Sequence, residues 1–226
     1  MNETVSTFPS PMRIVLVDDH PGMRAGLRAA IERQSDMRVV AEFASWRECL
    51  AHVRCNAPDV IVLDLNLTDG SGWSLLEQLR ALGRLPPTLV VSVCDESVYA
   101  RRILRAGARG YLTKDAPLDQ VVLAIREVRE GRLAASPLLM QQLAAEALGL
   151  GEAPDGGGEA AAGLSDRELQ VFGLLARELS GKEIAVQLGV SQKTVSTYKI
   201  RLMAKLGVRT TPELIARYQA DSRGGV

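Results

Sequence analysis

Three aspartates, one serine and one lysine stand at the ends of short apolar runs. Asp18 and Asp19 follow IVLV, Asp64 follows VIVL, Ser92 lies within TLVVSV, and Lys114 follows GYLT. If these runs are parallel strands of one sheet, their carboxyl ends share an edge, and open α/β sheets bind their ligands at that edge. The sequence therefore predicts that these five side chains form one site.

The chemistry of such a site follows from its charges. Two carboxylates about 4 Å apart repel each other by roughly 4 kcal/mol at an effective dielectric of 20. A divalent cation such as Mg²⁺, which prefers oxygen ligands, would relieve this repulsion. A carboxylate beside the cation can act as a nucleophile and become an aspartyl-phosphate. Lys114 could then neutralise a phosphoryl oxygen, and Ser92 could donate a hydrogen bond to another.

The elements that must position these residues occupy the chain up to about residue 132. The predicted strands are Arg13–Val17, Arg38–Phe43, Val60–Asp64, Thr88–Val93 and Gly110–Thr113. The predicted helices are Pro21–Gln34, Trp46–Asn56, Gly72–Gly83, Ser97–Ala106 and Leu118–Glu130. Strands that are apolar throughout are typical of a sheet covered on both faces. Five βα units in series therefore predict an α/β fold with a doubly wound five-stranded parallel sheet of order 2-1-3-4-5.

The sequence changes character after this region. Ser136–Leu148 has a helical pattern, and the following GLGEAPDGGGEAAAG is rich in glycine and alanine, which predicts a flexible linker. We therefore expect an α/β domain over 12–132, a linker helix and flexible linker over 133–163, and a small all-α domain over 164–226.

The all-α segment has the pattern of a helix-turn-helix. Its first helix opens with Ser165 and Glu168 at capping-box spacing. A short helix, KEIAVQL, is then joined by a turn containing Gly189 to a longer helix, QKTVSTYKIRLMAKLG, with Ser191 as the predicted N-cap. We expect a closing helix over Glu213–Gln219, with Pro212 at its first position.

The charge of this segment favours a polyanionic partner. Residues 164–226 hold 10 Lys+Arg and 6 Asp+Glu, a net charge of +4, whereas residues 1–163 hold 17 and 21, a net charge of −4. Val195, Leu202 and Leu206 form the expected inner stripe of the longer helix. The basic side chains of this helix are Lys193, Lys199, Arg201 and Lys205. Its early polar side chains, which could reach base edges or phosphates, are Gln192, Thr194, Ser196 and Thr197.

Composition excludes several other classes of protein. The chain has three cysteines without a Cys-x-x-Cys pair and only two histidines, so zinc-ligand spacing is absent. No apolar run approaches the roughly 18 residues of a membrane span, and the first eleven residues lack the pattern of a secretory signal. We therefore expect a cytoplasmic protein with reduced cysteines and no membrane partner.

The acidic region resembles the receiver domains of two-component signalling proteins, in particular response regulators of the NarL/FixJ type. The resemblance is carried by IVLVDDHPGMRAGL, VIVLDLNLTDGSGWSLL and LRAGARGYLTKD. It implies that Asp64 is the phosphoacceptor. It also implies a Mg²⁺ site formed by Asp18, Asp19, Asp64 and the backbone carbonyl of Asn66, with Asp19 as the direct acidic ligand.

The same resemblance assigns the remaining polar residues of the site. Lys114 matches the phosphate-binding lysine, and Ser92 and Tyr111 match the switch pair, in which the hydroxyl follows the phosphate and the aromatic ring turns inward. Two positions depart from the family pattern: Thr68 and Asp115 stand where proline is usual. Neither departure removes a reacting group.

The C-terminal segment LSDRELQVFGLLARELSGKEIAVQLGVSQKTVSTYKIRLMAKLGV resembles the LuxR-type DNA-binding domain. The resemblance makes the helix beginning near Gln192 the recognition helix and places Ser196, Thr197 and Ile200 toward the groove. Tyr198 replaces a histidine common in the family and is expected to contact phosphate or to pack on the scaffold. The candidates for phosphate contacts are Lys182, Lys193, Lys199, Arg201 and Lys205.

Together these resemblances predict a response regulator that is not an enzyme. A sensor histidine kinase would phosphorylate Asp64, and the change would control binding to double-stranded promoter DNA, with homodimerisation on phosphorylation. RNA polymerase is a further candidate partner. The alternative is a phosphorylation-independent DNA-binding regulator whose receiver serves only as a dimerisation module.

Two other hypotheses fit less well. The loop Asp64-Leu-Asn66-Leu-Thr68 is similar to that of haloacid-dehalogenase-type phosphatases, but those enzymes need a carboxylate where this chain has Asn66, and their loop follows the first strand. A calcium loop over DLNLTDGSGWSL fails because Asp69 replaces its glycine and Leu75 its glutamate.

Overall fold

The computed structural model describes residues 10–67, 69–93, 96–148 and 163–223. Most of the first eleven residues lie outside these ranges, as do nearly all of the Gly- and Ala-rich linker and Thr68. Within the described residues, no helix is both long enough and apolar enough to cross a bilayer.

A five-stranded parallel sheet forms the centre of the N-terminal domain. Its strands are β1 (Met12–Val17), β2 (Met37–Phe43), β3 (Val60–Leu63), β6 (Thr88–Ser92) and β7 (Gly110–Thr113), in the spatial order β2-β1-β3-β6-β7. With the strands of this sheet counted alone, the predicted order 2-1-3-4-5 is confirmed. The sequence did not predict a small antiparallel hairpin after β3, formed by β4 (Asn66–Leu67) and β5 (Gly70–Ser71).

Helices cover both faces of the sheet, which explains why its strands are apolar throughout. They are α1 (Pro21–Glu32), α2 (Trp46–Cys55), α3 (Gly72–Ala81), α4 (Glu96–Arg105) and α5 (Leu118–Arg129). Alternate residues of β1 enter separate cores: Ile14 and Leu16 pack in the cluster that includes residues of α1 and α5, whereas Val15 and Val17 pack in the cluster that includes residues of α2, α3 and α4. A sixth helix, α6 (Pro137–Ala147), follows this domain.

The C-terminal domain is all-α. Its helices are α7 (Asp166–Ala176), α8 (Gly181–Gln187), α9 (Gln192–Leu206) and α10 (Thr211–Arg223). The predicted capping box at Ser165 and the N-cap at Ser191 are confirmed, because their hydroxyls accept from the backbone N–H of Glu168 and Thr194. A second capping box at Ser180 was not predicted. The closing helix is longer than predicted, and Pro212 is its second residue instead of its first.

The two domains pack against each other. The hydrophobic cluster on the α2–α3–α4 side of the sheet continues into the C-terminal domain through Leu164, Leu169 and Phe172. The core of the C-terminal domain is therefore joined to that of the α/β domain, and the sequence patterns did not predict this contact.

Candidate functional site

The predicted acidic residues converge at the carboxyl edge of the sheet. Lys114 Nζ lies 2.7 Å from Asp18 Oδ2 and 2.7 Å from Asp64 Oδ2, so a single ammonium bridges the carboxylates that follow β1 and β3. Asp18 and Asp64 are buried, and Asp19 lies beside them as a member of the same cluster of carboxylates.

Backbone hydrogen bonds of the sheet fix these positions. The Asp64 N–H donates to the Val17 carbonyl at 2.8 Å, and the Lys114 N–H donates to the Ser92 carbonyl at 2.8 Å. The Asp18 N–H donates to the Phe43 carbonyl at 3.0 Å. The hydrogen-bond ladder of the parallel sheet therefore continues for one residue beyond each strand, and this fixes the positions of Asp18, Asp64 and Lys114 relative to one another.

Burial and charge act against each other at Asp64. Burial, together with the neighbouring charge of Asp18, raises the pKa of Asp64 to about 6, while the Lys114 ammonium works to lower it. Burial by itself would lower the pKa of Lys114, but the carboxylates of Asp64 and Asp18 outweigh burial and raise it. Lys114 is therefore the main group that favours the ionised form of Asp64.

The chemistry of the donor set fits a hard divalent cation. One ligand atom from each of Asp18, Asp19, His20 and Asp64 can be chosen so that all four atoms lie within 4.8 Å of one another. Lys114 pairs with Asp18 and Asp64, and Asp19 adds a third carboxylate to the cluster, so Mg²⁺ would neutralise the excess of negative charge. Asn66, also predicted for this site, is buried, and its backbone N–H donates to Asp64 Oδ1 at 3.1 Å.

His20 also lies at this site, where the sequence did not predict it. Its Nδ1 lies 2.7 Å from Asp19 Oδ1 and 3.2 Å from Asp18 Oδ1, and its backbone N–H donates to Asp18 Oδ1 at 2.7 Å. The side chain is about half exposed. The available signal was its place directly after the aspartate pair.

Gly72 shapes the loop that carries Asp64. A Cβ at this position would lie 2.1 Å from the Asp64 carbonyl oxygen, far inside contact distance, and the Gly72 N–H donates to the Leu65 carbonyl at 3.0 Å. Only glycine fits here without a shift of the backbone, and its small size lets the end of the hairpin pack directly against the backbone of Asp64 and Leu65.

The predicted switch residues lie inside the domain. Ser92 and Tyr111 are fully buried on the adjacent strands β6 and β7, whose register pairs Ser92 with Thr113 and Val90 with Tyr111. Ser92 therefore lies at the carboxyl edge of the sheet, whereas Tyr111 lies two residues closer to the amino end of its strand than Thr113, the residue paired with Ser92.

The predicted recognition helix, α9, packs on its domain through Val195 and Leu202, which are buried. The predicted groove-facing residues Ser196, Thr197 and Ile200 are exposed. Among the predicted phosphate-contacting residues, Lys182, Lys193, Arg201 and Lys205 are exposed, and Tyr198 and Lys199 are half-buried, as is Thr194 near the start of the helix.

Lys205 has a second set of contacts within the domain. Its Nζ donates to Glu168 Oε2 at 2.7 Å and to the Gly163 carbonyl at 3.0 Å. Burial acts to raise the pKa of Glu168, but the hydrogen bonds from Lys205 and Ser165 outweigh burial and lower it. Lys205 therefore tethers α9 to the start of α7 in addition to offering a positive charge.

Comparison with known proteins places both halves of the chain. A family model described as "Response regulator receiver domain" matches residues 14–126, and one described as "Bacterial regulatory proteins, luxR family" matches residues 162–218. The oxygen regulatory protein NreC of Staphylococcus aureus is 35% identical over 207 residues, which span 90% of this chain and 95% of that protein. The chain belongs to the LuxR-type response regulators. The resemblance noted in the sequence is thereby confirmed.

Solved structures agree with this assignment. The response regulator ChrA of a heme-sensing two-component system is 29% identical, with a TM-score of 0.50 and coverage of 93% of this chain and 98% of that chain. A LuxR-family two-component response regulator from Aurantimonas sp. is 37% identical, with a TM-score of 0.56 and coverage of 62% and 99%. RcsB from Salmonella enterica, solved bound to a promoter, shares the fold, with 22% identity and a TM-score of 0.60.

In this response regulator the DNA-binding domain contacts the loop that follows Asp64. Arg167 Nη2 donates to the Leu67 carbonyl at 3.0 Å and to the Gly70 carbonyl at 2.9 Å. Arg167 Nη1 also donates to Gln170 Oε1 at 2.9 Å, and Gln170 Nε2 donates to the Leu65 carbonyl at 3.3 Å. Two side chains of α7 therefore hold the backbone of the hairpin β4–β5 and the residue next to Asp64.

The second loop at the reactive edge of the receiver is also contacted. Arg177 Nη1 donates to the carbonyl of Val93, the residue after Ser92, at 2.8 Å. Arg102 of α4 donates to the Leu164 carbonyl at 3.1 Å and lies over the ring of Trp73 at 4.7 Å from its centroid. The DNA-binding domain thus touches backbone on both sides of the acidic site. No pattern in the sequence indicated these contacts.

Proposed function

We propose that Asp64 accepts a phosphoryl group from a sensor histidine kinase and that this modification controls binding of promoter DNA by residues 164–226. The observation that carries the proposal is the bridge from Lys114 Nζ to Asp18 and Asp64 at the carboxyl edge of the sheet. Such a bridge places a cation beside a buried nucleophile and beside the oxygens that would hold a metal. We assign residues 12–132 to the receiver and 133–163 to the linker.

The residues of the site divide the chemistry among them. Asp18, Asp19, Asp64 and the backbone carbonyl of Asn66 would hold Mg²⁺, which when bound supplies positive charge to the transferring phosphoryl group. Lys114 offsets part of the rise that burial causes in the pKa of Asp64 and would then neutralise a phosphoryl oxygen. The Ser92 hydroxyl would donate to another phosphoryl oxygen, with Tyr111 filling the space behind it.

The contacts between the domains suggest how phosphorylation reaches the DNA-binding domain. Phosphorylation replaces the single negative charge of the Asp64 carboxylate by up to two on the aspartyl-phosphate, a gain of about one negative charge beside the backbone that Arg167 and Gln170 hold. If Ser92 moves toward the phosphate, the carbonyl of Val93, which accepts from Arg177, moves with its strand. Phosphorylation would therefore shift the equilibrium between packed and separated domains.

The DNA-binding half supplies groove and phosphate contacts from one helix and its surroundings. Ser196, Thr197 and Ile200 face outward for the groove. The phosphate-contacting candidates are Lys182, Lys193, Thr194, Tyr198, Lys199, Arg201 and Lys205. A single helix-turn-helix reads a short site, and dimers that read two half-sites are the usual arrangement, so we propose that the phosphorylated protein binds as a homodimer. RNA polymerase at the promoter is a further proposed partner.

The test is phosphate uptake from acetyl phosphate in the presence of Mg²⁺, read by intact mass. The wild type is expected to gain one phosphoryl group that Asp64→Asn does not gain. The matched control is Asp59→Asn, at the amino end of the same strand, where Asp59 Oδ2 accepts from the Arg13 N–H at 2.8 Å and an asparagine oxygen can still accept. Equal uptake by Asp64→Asn would contradict the assignment of the phosphoacceptor. DNA binding and sizing that do not change on phosphorylation would favour the phosphorylation-independent alternative.

A further inference from the structure

The exposed face of the recognition helix is formed by a small set of residues. At about 100° per residue, five side chains fall within one arc that points away from the buried side of α9, where Val195 and Leu202 lie. We call this arc the outer face. It comprises Lys193, Ser196, Thr197, Ile200 and Ala204, all of them exposed, and the exposed Arg201 borders it next to Thr197.

The hydroxyl groups of the outer face are occupied within the helix. Ser196 Oγ donates to the Gln192 carbonyl at 3.0 Å, and Thr197 Oγ1 donates to the Lys193 carbonyl at 3.0 Å. Each hydroxyl has one proton. Both protons are therefore used inside the helix, and neither hydroxyl donates outward in this conformation.

What the centre of the outer face presents is chiefly apolar. Ile200 is 68% exposed and carries only carbon beyond its backbone. Ala204, one turn further along, adds a methyl group. The charged side chains, Lys193 at the amino end of the outer face and Arg201 at its border, flank a centre that has no arginine, lysine, asparagine or glutamine to form a bidentate hydrogen bond with a purine.

Base pairs offer one apolar group to a helix in the major groove, the C5-methyl of thymine, and small apolar side chains contact it. We propose that Ile200, supported by Thr197 and Ala204, reads thymine methyl groups, so that each half-site has an A·T pair opposite Ile200. This inference rests on the proposed DNA-binding function and names the base that the recognition helix selects.

The experiment uses the full chain treated with acetyl phosphate and Mg²⁺. Bound duplexes are first selected from a library of random sequence, and each thymine of the enriched duplex is then replaced by deoxyuridine, which pairs identically but lacks the methyl group. At one position in each half-site, the replacement is expected to weaken binding about fourfold, the effect of withdrawing one methyl group from an apolar contact.

Variants identify the side chain responsible. Ile200→Ala is expected to bind the thymine duplex more weakly and to lose most of the difference between thymine and deoxyuridine. The matched control is Val186→Ala, because Val186 is 78% exposed on α8 and lies outside the outer face. This control should keep the full difference. Both positions are exposed, so neither substitution removes a side chain from the core.

The outcomes separate the inference from the function on which it rests. Enrichment of a site whose binding does not depend on thymine methyls, or a dependence that persists in Ile200→Ala, would overturn the inference and leave the DNA-binding function intact. If no duplex is enriched although Asp64 is phosphorylated, the DNA-binding function is wrong and the inference falls with it.

Discussion

Arg167→Ala is predicted to loosen the packing of the two domains. The guanidinium of Arg167 donates two hydrogen bonds to the carbonyls of Leu67 and Gly70, at 3.0 and 2.9 Å. Hydrogen bonds from charged groups contribute roughly 1.5–3 kcal/mol each when buried, and the partial exposure of Arg167 reduces this. We expect a net loss of about 2 kcal/mol for the pair, which moves the equilibrium between packed and separated domains roughly 30-fold toward separation.

Two measurements on the unphosphorylated protein test this value. Small-angle scattering should show a larger radius of gyration for Arg167→Ala, and hydrogen exchange should be faster at the amides of residues 65–71. Arg167→Lys keeps the charge but cannot form the planar fork, so it should resemble the alanine variant. Arg209→Ala, which removes an exposed arginine of the same domain, is the control. Unchanged exchange and compactness in Arg167→Ala would refute the claim that these two hydrogen bonds hold the domains together.

Three further predictions concern the receiver. Gly72→Ala should slow phosphate uptake about tenfold or more and destabilise the protein by about 1–3 kcal/mol, because the added Cβ would overlap the Asp64 carbonyl oxygen. Gly26→Ala lies in helix α1 with open space around it and should instead stabilise the protein by about 0.5–1 kcal/mol. Thermal unfolding of both variants measures the difference. The raised pKa of Asp64 means that the native state keeps a proton that the unfolded chain has lost, so in metal-free buffer the contribution of Asp64 to stability should fall by up to about 3 kcal/mol as the pH rises from about 4 to about 6. Urea titrations of the wild type and of Asp64→Asn should differ by this contribution. Burial raises the pKa of Cys49 to about 12, so alkylation of the native protein, mapped by peptide mass, should label the exposed Cys55 and spare Cys49; rapid labelling of both would contradict the packing of α2.

The local patterns of the sequence were enough to predict most elements. Apolar runs ended by Asp18, Asp64 and Lys114 predicted both the strands and their common edge, because parallel strands bring their carboxyl ends together whatever the loops between them do. The caps at Ser165 and Ser191 were equally readable, since the donor and acceptor of a cap lie within three residues.

Other features of the receiver depend on approach in space. The hairpin β4–β5 has strands of two residues each, too short for any periodic pattern. The need for glycine at position 72 arises from the Asp64 carbonyl folded against it, a contact visible only once the loop has closed. His20 stood beside the aspartates in the sequence, but only the folded turn brings its ring to both of them.

The sequence by itself determined that this protein has a parallel α/β domain with an acidic edge and a separate helix-turn-helix. Those properties follow from the periodicity of apolar residues, from the residue types at the strand ends and from the helix caps, all of which depend on positions close together in the chain. Tertiary structure alone decided that Arg167 and Gln170 hold the loop after Asp64. These side chains bind backbone carbonyls about a hundred positions away in the chain. Every residue type has the same backbone carbonyl group, so the sequence of the receiver cannot indicate which carbonyls accept these hydrogen bonds.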